Sequence, residues 1–148
     1  MDRLRPGRLV DEVIVPVEAG KIRELVRATA TLDPVHLDRE AALAAGFGGI
    51  PAPLTFSVLA GHLRDQQAFV RELGLDIRHI VVGSVAWDYR RPLVAGDVLT
   101  ATRRVESDES LIGRSGPMRL VTLVTEFVDA AGDVAVVQRE VLIEREAS

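Results

Sequence analysis

A chain of 148 residues, 47% hydrophobic and 27% charged, has the size and composition of one globular domain, which excludes a disordered or fibrous chain. Its formal charge of -4 argues against a phosphate-neutralising surface, so no nucleic-acid partner is expected. With no cysteine there is no disulfide framework, thiolate nucleophile or thiolate metal site, and a reducing cytoplasm is the expected compartment.

The N-terminal MDRLRPGRLVDE lacks a basic segment followed by an apolar run, and no window approaches the ~20 apolar residues of a membrane helix. Neither export nor a membrane anchor is expected. From Leu9 to Val17 the chain is rich in β-branched residues and closes on Pro16, as a short strand would. At Glu18 the period changes. Ile22, Leu25 and Val26 share one face against Lys21, Arg23, Glu24 and Arg27, which predicts an amphipathic helix to about Ala30. Pro34 keeps 31–36 from continuing it. Asp38 is placed to cap a short helix over Arg39 to Ala45, closed by Gly46, and FGGIPAP is a turn.

Pro53 suits a first helical position, because its missing N–H would have no partner there. LTFSVLAG is apolar on almost every side and HLRDQQAFVREL is amphipathic up to Gly74. Together they predict one long helix that begins buried and emerges into solvent. Beyond it the pattern is that of strands: 79–91, with Val81, Val85, Trp87 and Tyr89 on one face; 98–105; a polar loop over 106–117; then 119–128 and 134–145 joined by the tight DAAGD turn. A helical half followed by a meander of strands implies an α+β domain, an antiparallel sheet wrapped around a long central helix. No internal repeat or linker divides it, so a single domain over 1–148 is expected.

DPVH followed by AALAAGFGGIPAPLTF, with RRPLVAGDVLT further on, resembles the MaoC-like dehydratases and hydratases of the hot-dog fold, in particular their FAS1-like dehydratase type. The resemblance covers essentially the whole chain. It implies an enzyme, or a subunit of one, that interconverts trans-2-enoyl and (R)-3-hydroxyacyl thioesters of coenzyme A or acyl carrier protein. It implies no cofactor and no metal. In that family a loop of the form Asp-x-Asn-Pro-x-His supplies an aspartate and a histidine that hold the water and move its protons. An imidazole with an ordinary pKa of about 6.5 suits that role. Backbone N–H groups at the start of the central helix stabilise the enolate oxygen.

Carried over by position, His36 matches the histidine and Pro34 the proline. Ala52, Pro53 and Leu54 match the helix start, with Gly49 and Thr55 beside it at the acyl-binding wall. The aspartate position is Thr31 and the asparagine position is Asp33. A threonine hydroxyl is no general base, so Asp33 is the candidate helper of His36, and Thr31 counts only toward substrate binding. The substitution resembles the degenerate subunit of two-chain dehydratases, whose catalytic partner carries the dyad. A homodimer or heterodimer with a catalytic MaoC-like chain, its site shared between subunits, is the expected assembly, since the sheet edge and apolar faces need cover.

Other readings stay open. His36 also fits a loop histidine bonded to backbone, Asp33 a turn cap and Thr31 a helix terminator. His62 and His79 read as structural, and the three histidines show no i, i+4 pairing that would suggest a metal. Arg90-Arg91 and Arg103-Arg104 fit contacts to coenzyme phosphates or an acidic carrier, or else solvated strand ends. A noncatalytic acyl-binding subunit is the alternative function. A hot-dog thioesterase ranks third, because no acid follows Pro53 until Asp65.

Overall fold

The computed structural model describes residues 3–145. Five strands, β1 (Leu9–Pro16), β2 (Ile80–Tyr89), β3 (Val98–Gly113), β4 (Gly116–Val128) and β5 (Val134–Arg145), form one antiparallel sheet in the order β1-β3-β4-β5-β2. Alternating apolar positions give the sheet a concave face that closes over the helical segments. Leu99, Ala101, Phe127 and Val136 meet Ile22 and Val26 of helix α1 (Ala19–Ala28) and Phe56 and Ala60 of the central segment. A second short helix, α2 (Arg39–Ala44), starts on the Asp38 carboxylate, which accepts the Glu40 N–H at 3.0 Å. Among the described residues no helix is long and apolar enough to cross a membrane.

The structure corrects three sequence expectations. The stretch 106–117 is not a loop. Strands β3 and β4 pair down to Gly113 and Gly116, leaving Arg114 and Ser115 as the turn, with Gly116 at φ +106°. Asp108 holds this polar stretch in the sheet. Its buried carboxylate accepts two bonds from Arg119 of β4, at 2.8 and 2.7 Å, and one from the Leu4 N–H at 2.7 Å.

Next, β2 carries a bulge between Val82 and Ser84. Gly83 fills it, and a Cβ there would stand 2.5 Å from Ile143 Cδ1. The extra residue reverses the facing of the strand. Ile80, Trp87 and Tyr89 therefore pack on the core while Val81, expected beside Trp87, is half exposed.

Finally, the apolar run after Pro53 is not one long helix. Phe56–Leu63 winds as a 3-10 helix, Arg64 is extended at φ -106° and ψ 148°, and α3 (Gln66–Glu72) starts anew. The new start is capped by Asp65, whose carboxylate accepts the Ala68 N–H at 2.9 Å. Gly61, a poor helix former, lends its carbonyl to Gln66 Nε2 at 2.9 Å.

The reason for the break is electrostatic. Arg64 leaves the helical path to donate to Asp11 of β1 at 3.1 Å, and Arg103 of β3 makes a bidentate pair with the same carboxylate. The Arg103 guanidinium also lies over the Phe69 ring, 4.1 Å from its centroid. Arg103 is thus buried, neither a solvated strand end nor a surface contact, whereas Arg104 is exposed. Burial, with Arg103 beside it, pushes the Arg64 guanidinium below its usual pKa.

This contact is one end of a polar row that crosses the concave face. Asp11 pairs with Arg103, Arg103 with Thr125, Thr125 with Gln138 and Gln138 with Trp87, on five adjacent strands. One apolar cluster lies on either side, one around Phe56, Leu99 and Phe127, the other around Val70, Leu73, Val105 and Leu123.

Replacing Asp11 with alanine leaves two guanidiniums facing each other in the core. The expected loss is about 3–5 kcal/mol, read as a lower urea midpoint at unchanged slope. A loss under about 1 kcal/mol, the value of an exposed pair, would show the site to be solvated. The Arg119 bonds, with the Leu4 N–H, hold the Asp108 carboxyl below the usual carboxylate range. A depressed folded-state pKa stabilises the fold above the unfolded value of about 3.9 and ceases to do so as pH falls through the folded one. The melting temperature should therefore drop below about pH 4, and Asp108→Asn should flatten that drop while lowering stability at neutral pH.

Candidate active site

The chain after α1 is steered by its helix cap. Ala30 takes φ +53°, and the Thr31 N–H donates to Val26 O at 2.9 Å. The Thr31 hydroxyl meets the Thr29 hydroxyl at 2.9 Å, and Thr29 donates to Leu25 O at 2.9 Å. Position 31 thus finishes α1. Asp33 then caps a 3-10 turn, Pro34–His36, accepting the Val35 N–H at 3.1 Å. This turn carries His36 to the wall of an open, mostly apolar cleft of about 760 Å³.

The opposite wall is built by a short ladder. The Ala52 N–H donates to Leu93 O and the Ala95 N–H to Ile50 O, both at 2.8 Å, and a Cβ added at Gly49 would touch Val94 and Ala95. The ladder fixes the Pro51 carbonyl, which stands 2.7 Å from His36 Nδ1. A carbonyl only accepts, so in the neutral ring Nδ1 carries the proton and Nε2 keeps a free lone pair.

Of the positions singled out from the sequence, Asp33, His36, Ala52, Pro53 and Leu54 line the cleft together. Thr31, Gly49 and Thr55 do not. The Ala52 N–H is engaged by Leu93 and Pro53 has none, so the first available donor is Leu54. Among the described residues neither Leu54 N–H nor Thr55 N–H has a backbone acceptor, as expected of a first helical turn. The Pro53 carbonyl accepts the Phe56 N–H at 2.9 Å. In a planar trans peptide the Leu54 N–H therefore points the opposite way, out of the start of the segment.

Sequence reasoning missed Phe47, Tyr89 and Leu93, which complete the wall. Tyr89 precedes and Leu93 lies within the RRPLVAGD stretch, of which only the arginines had been weighed as ligand contacts. The Tyr89 hydroxyl donates to Leu54 O, and burial raises its pKa, so it remains a donor. Arg91 is held by Asp97 at 2.8 and 3.1 Å and by Asp129 at 3.1 Å. Arg90, which lines the cleft, pairs with the exposed Asp88 at 3.0 Å. His62 borders a separate pocket of about 320 Å³ that Phe56 and Leu59 also line, and His79 lies 3.9 Å from Asp76.

A five-stranded antiparallel sheet closed over a central helical segment, with this cleft at the segment's start, defines a hot-dog domain of the MaoC-like dehydratase class. The chain belongs to the family described as the FAS1-like dehydratase domain region, whose pattern matches residues 5–138. It is 39% identical over 126 residues to the UPF0336 protein of Clavibacter michiganensis, covering 84% of this chain and 82% of that one. It is 38% identical over 136 residues to the UPF0336 protein of Streptomyces avermitilis, covering 89% and 87%. Among solved structures it superposes on a MaoC-like dehydratase with a TM-score of 0.83 at 26% identity, spanning 97% of this chain but 43% of that protein. One chain of the HadBC (3R-hydroxyacyl-ACP dehydratase) complex of Mycobacterium tuberculosis gives a TM-score of 0.75 at 24% identity, covering 94% of this chain and 98% of that one, a likeness of fold.

The Pro51 carbonyl makes a testable statement about the ring. Nitrogen NMR of the neutral His36 imidazole should show the proton on Nδ1 and Nε2 bare. A proton on Nε2 would mean that the 2.7 Å contact is not a hydrogen bond.

Proposed function

We propose that this chain is a subunit of an (R)-specific enoyl/3-hydroxyacyl thioester hydratase/dehydratase that works as a dimer on coenzyme A or acyl-carrier-protein thioesters. The observation that carries the reading is the pairing of a histidine whose Nε2 is left basic by the Pro51 carbonyl with an unbonded N–H at Leu54, on one cleft. In hydration, water adds to C3 of the enoyl group and gives a proton to Nε2. Negative charge moves to the thioester oxygen opposite the Leu54 N–H, and the proton returns to C2. Dehydration is the reverse.

The dimer follows from the surface. Leu54 is 68% exposed and Leu32 88% exposed, Leu54 in the cleft wall and Leu32 next to Asp33, so a partner is needed to keep water from the site. At the β2 edge, Val81 and Val82 are also exposed, which suits side-by-side joining of two sheets.

One observation favours the alternative, an acyl-holding subunit beside a catalytic MaoC-like chain. Among the described residues lining the cleft Asp33 is the sole carboxylate, and its Oδ1 already accepts the Val35 N–H. A thioesterase finds less support, since the Asp65 carboxylate caps α3.

The deciding experiment follows the loss of enoyl absorbance for a trans-2-enoyl thioester, with the purified chain alone and with a co-expressed family member that carries an intact Asp-x-Asn-Pro-x-His loop. The expected result is hydration lowered about 10²- to 10⁴-fold by His36→Ala, the usual effect of losing one acid-base group. Hydration only with the second chain, and unchanged by His36→Ala, would assign this chain the holding role. No hydration in either arm would refute the proposal.

A further inference from the structure

The polar row across the concave face is unexpected beneath an apolar helical segment. Thr125 is 4% and Gln138 8% exposed, and they stand directly opposite one another on β4 and β5. Ser57 takes one end of the Gln138 amide, donating to it at 2.8 Å, and itself accepts Trp87 Nε1 at 2.8 Å. Whichever way the amide is turned, its other polar atom has no partner among the described residues, and neither has the Thr125 hydroxyl. Both are more than nine-tenths buried. Yet Arg64 Nη2 is the one buried side-chain atom, among the described residues, that is wholly closed off without a partner. The Thr125 hydroxyl and the free end of the Gln138 amide therefore each keep a small solvent-accessible area.

The row lies one step inward from the cleft. Tyr89 of the cleft wall lies two positions beyond Trp87 on the same face of β2, about 6.7 Å along the strand. Leu54 of the opposite wall precedes Ser57 by three residues, at the turn that leads into the 3-10 helix. Both walls of the cleft thus lead to the same pair of unpartnered groups. Arg103 cannot claim the charge of a ligand here, because Asp11 already holds it in a bidentate pair.

We infer that Thr125 and Gln138 form a subsite for an uncharged oxygen, a hydroxyl or ketone, carried on the acyl group some carbons beyond the thioester. The inference rests on the cleft being an acyl-thioester site. A hydroxyl or carbonyl at this depth would accept from the Gln138 amide and bond the Thr125 hydroxyl. A saturated alkyl chain in the same place would strip both groups of water and return nothing. The class of substrate is then an oxygenated acyl thioester, in preference to a plain fatty acyl one.

The test measures binding by calorimetry to the purified full chain, so that it does not depend on turnover. The probes are free coenzyme A, a saturated medium-chain acyl-CoA, and isomers of that thioester with one hydroxyl or ketone at successive carbons from C5 outward. The expected result is that one isomer binds about tenfold or more tightly than the saturated parent. The near-isosteric Thr125→Val and, separately, Gln138→Leu should each remove most of that preference, and Thr125→Val, which breaks no hydrogen bond of the fold, should leave the parent's affinity equal or improved. Isomers that all bind no better than a parent that does bind would overturn the subsite alone. So would a preference that survives both variants. Failure of every thioester, parent included, to bind better than free coenzyme A would overturn the acyl-thioester reading and the subsite with it.

Discussion

One carboxylate, Asp11, faces two buried guanidiniums, and the layout of the interior follows from that contact. A charge removed from water is tolerated only with a partner at bonding distance. Arg103, pointing inward from β3, therefore requires Asp11 on the adjacent strand, and Arg64 can reach the same carboxylate only by leaving the helical path. The extended backbone at Arg64, the cap at Asp65 and the division of the core into two apolar clusters are consequences of one local charge arrangement. The bent segment in turn puts Ser57 over Gln138, which anchors its first half to the sheet.

The cleft depends on a second, smaller constraint. A backbone ladder between 50–52 and 93–95 holds the Pro51 carbonyl, and that carbonyl decides which nitrogen of His36 is basic. The decisive partner of His36 is thus a main-chain atom of the loop that enters the central segment. The carbonyl needs no particular side chain to supply it, only the turn through Gly49 and the close approach of Leu93. Tyr89 closes the arrangement by bonding Leu54 O, so the peptide beside the free N–H is fixed from the sheet side.

Much of this was legible in the sequence, and what was missed has physical causes. The amphipathic face of α1, the cap at Asp38 and the β4–β5 hairpin follow from local patterns that tertiary structure left alone. The helix break did not show, because LTFSVLAG runs into the amphipathic HLRDQQAFVREL with no proline between them and the force that interrupts the run comes from a residue 53 positions away in sequence. The polar stretch 106–117 looked like a loop for the same reason: its Asp108 is matched by Arg119 across the hairpin, a pairing that exists only once the strands are in register. Of the positions singled out from the sequence, His36 and the segment start do line the cleft. From the sequence Arg91 and Arg103 read as surface charges, since nothing in a single sequence says that Asp97, Asp129 and Asp11 will hold them.

Position 31 shows how geometry bears on chemistry. A threonine there can be seen as a lost carboxylate, but its surroundings suit a helix terminator, since its N–H ends α1 on Val26 O and its hydroxyl joins that of Thr29. The residue lies outside the cleft wall formed by this chain, so what separates it from an acid-base role is the position of its backbone as well as the side chain it carries. His36 sits on the far side of a proline and a 3-10 turn, held by a different contact, and its placement does not depend on residue 31. His36 and residue 31 thus rest on separate local structures. A change of side chain at position 31 therefore leaves His36, the backbone ladder and the cleft where they are, because none of the contacts that hold them passes through that residue.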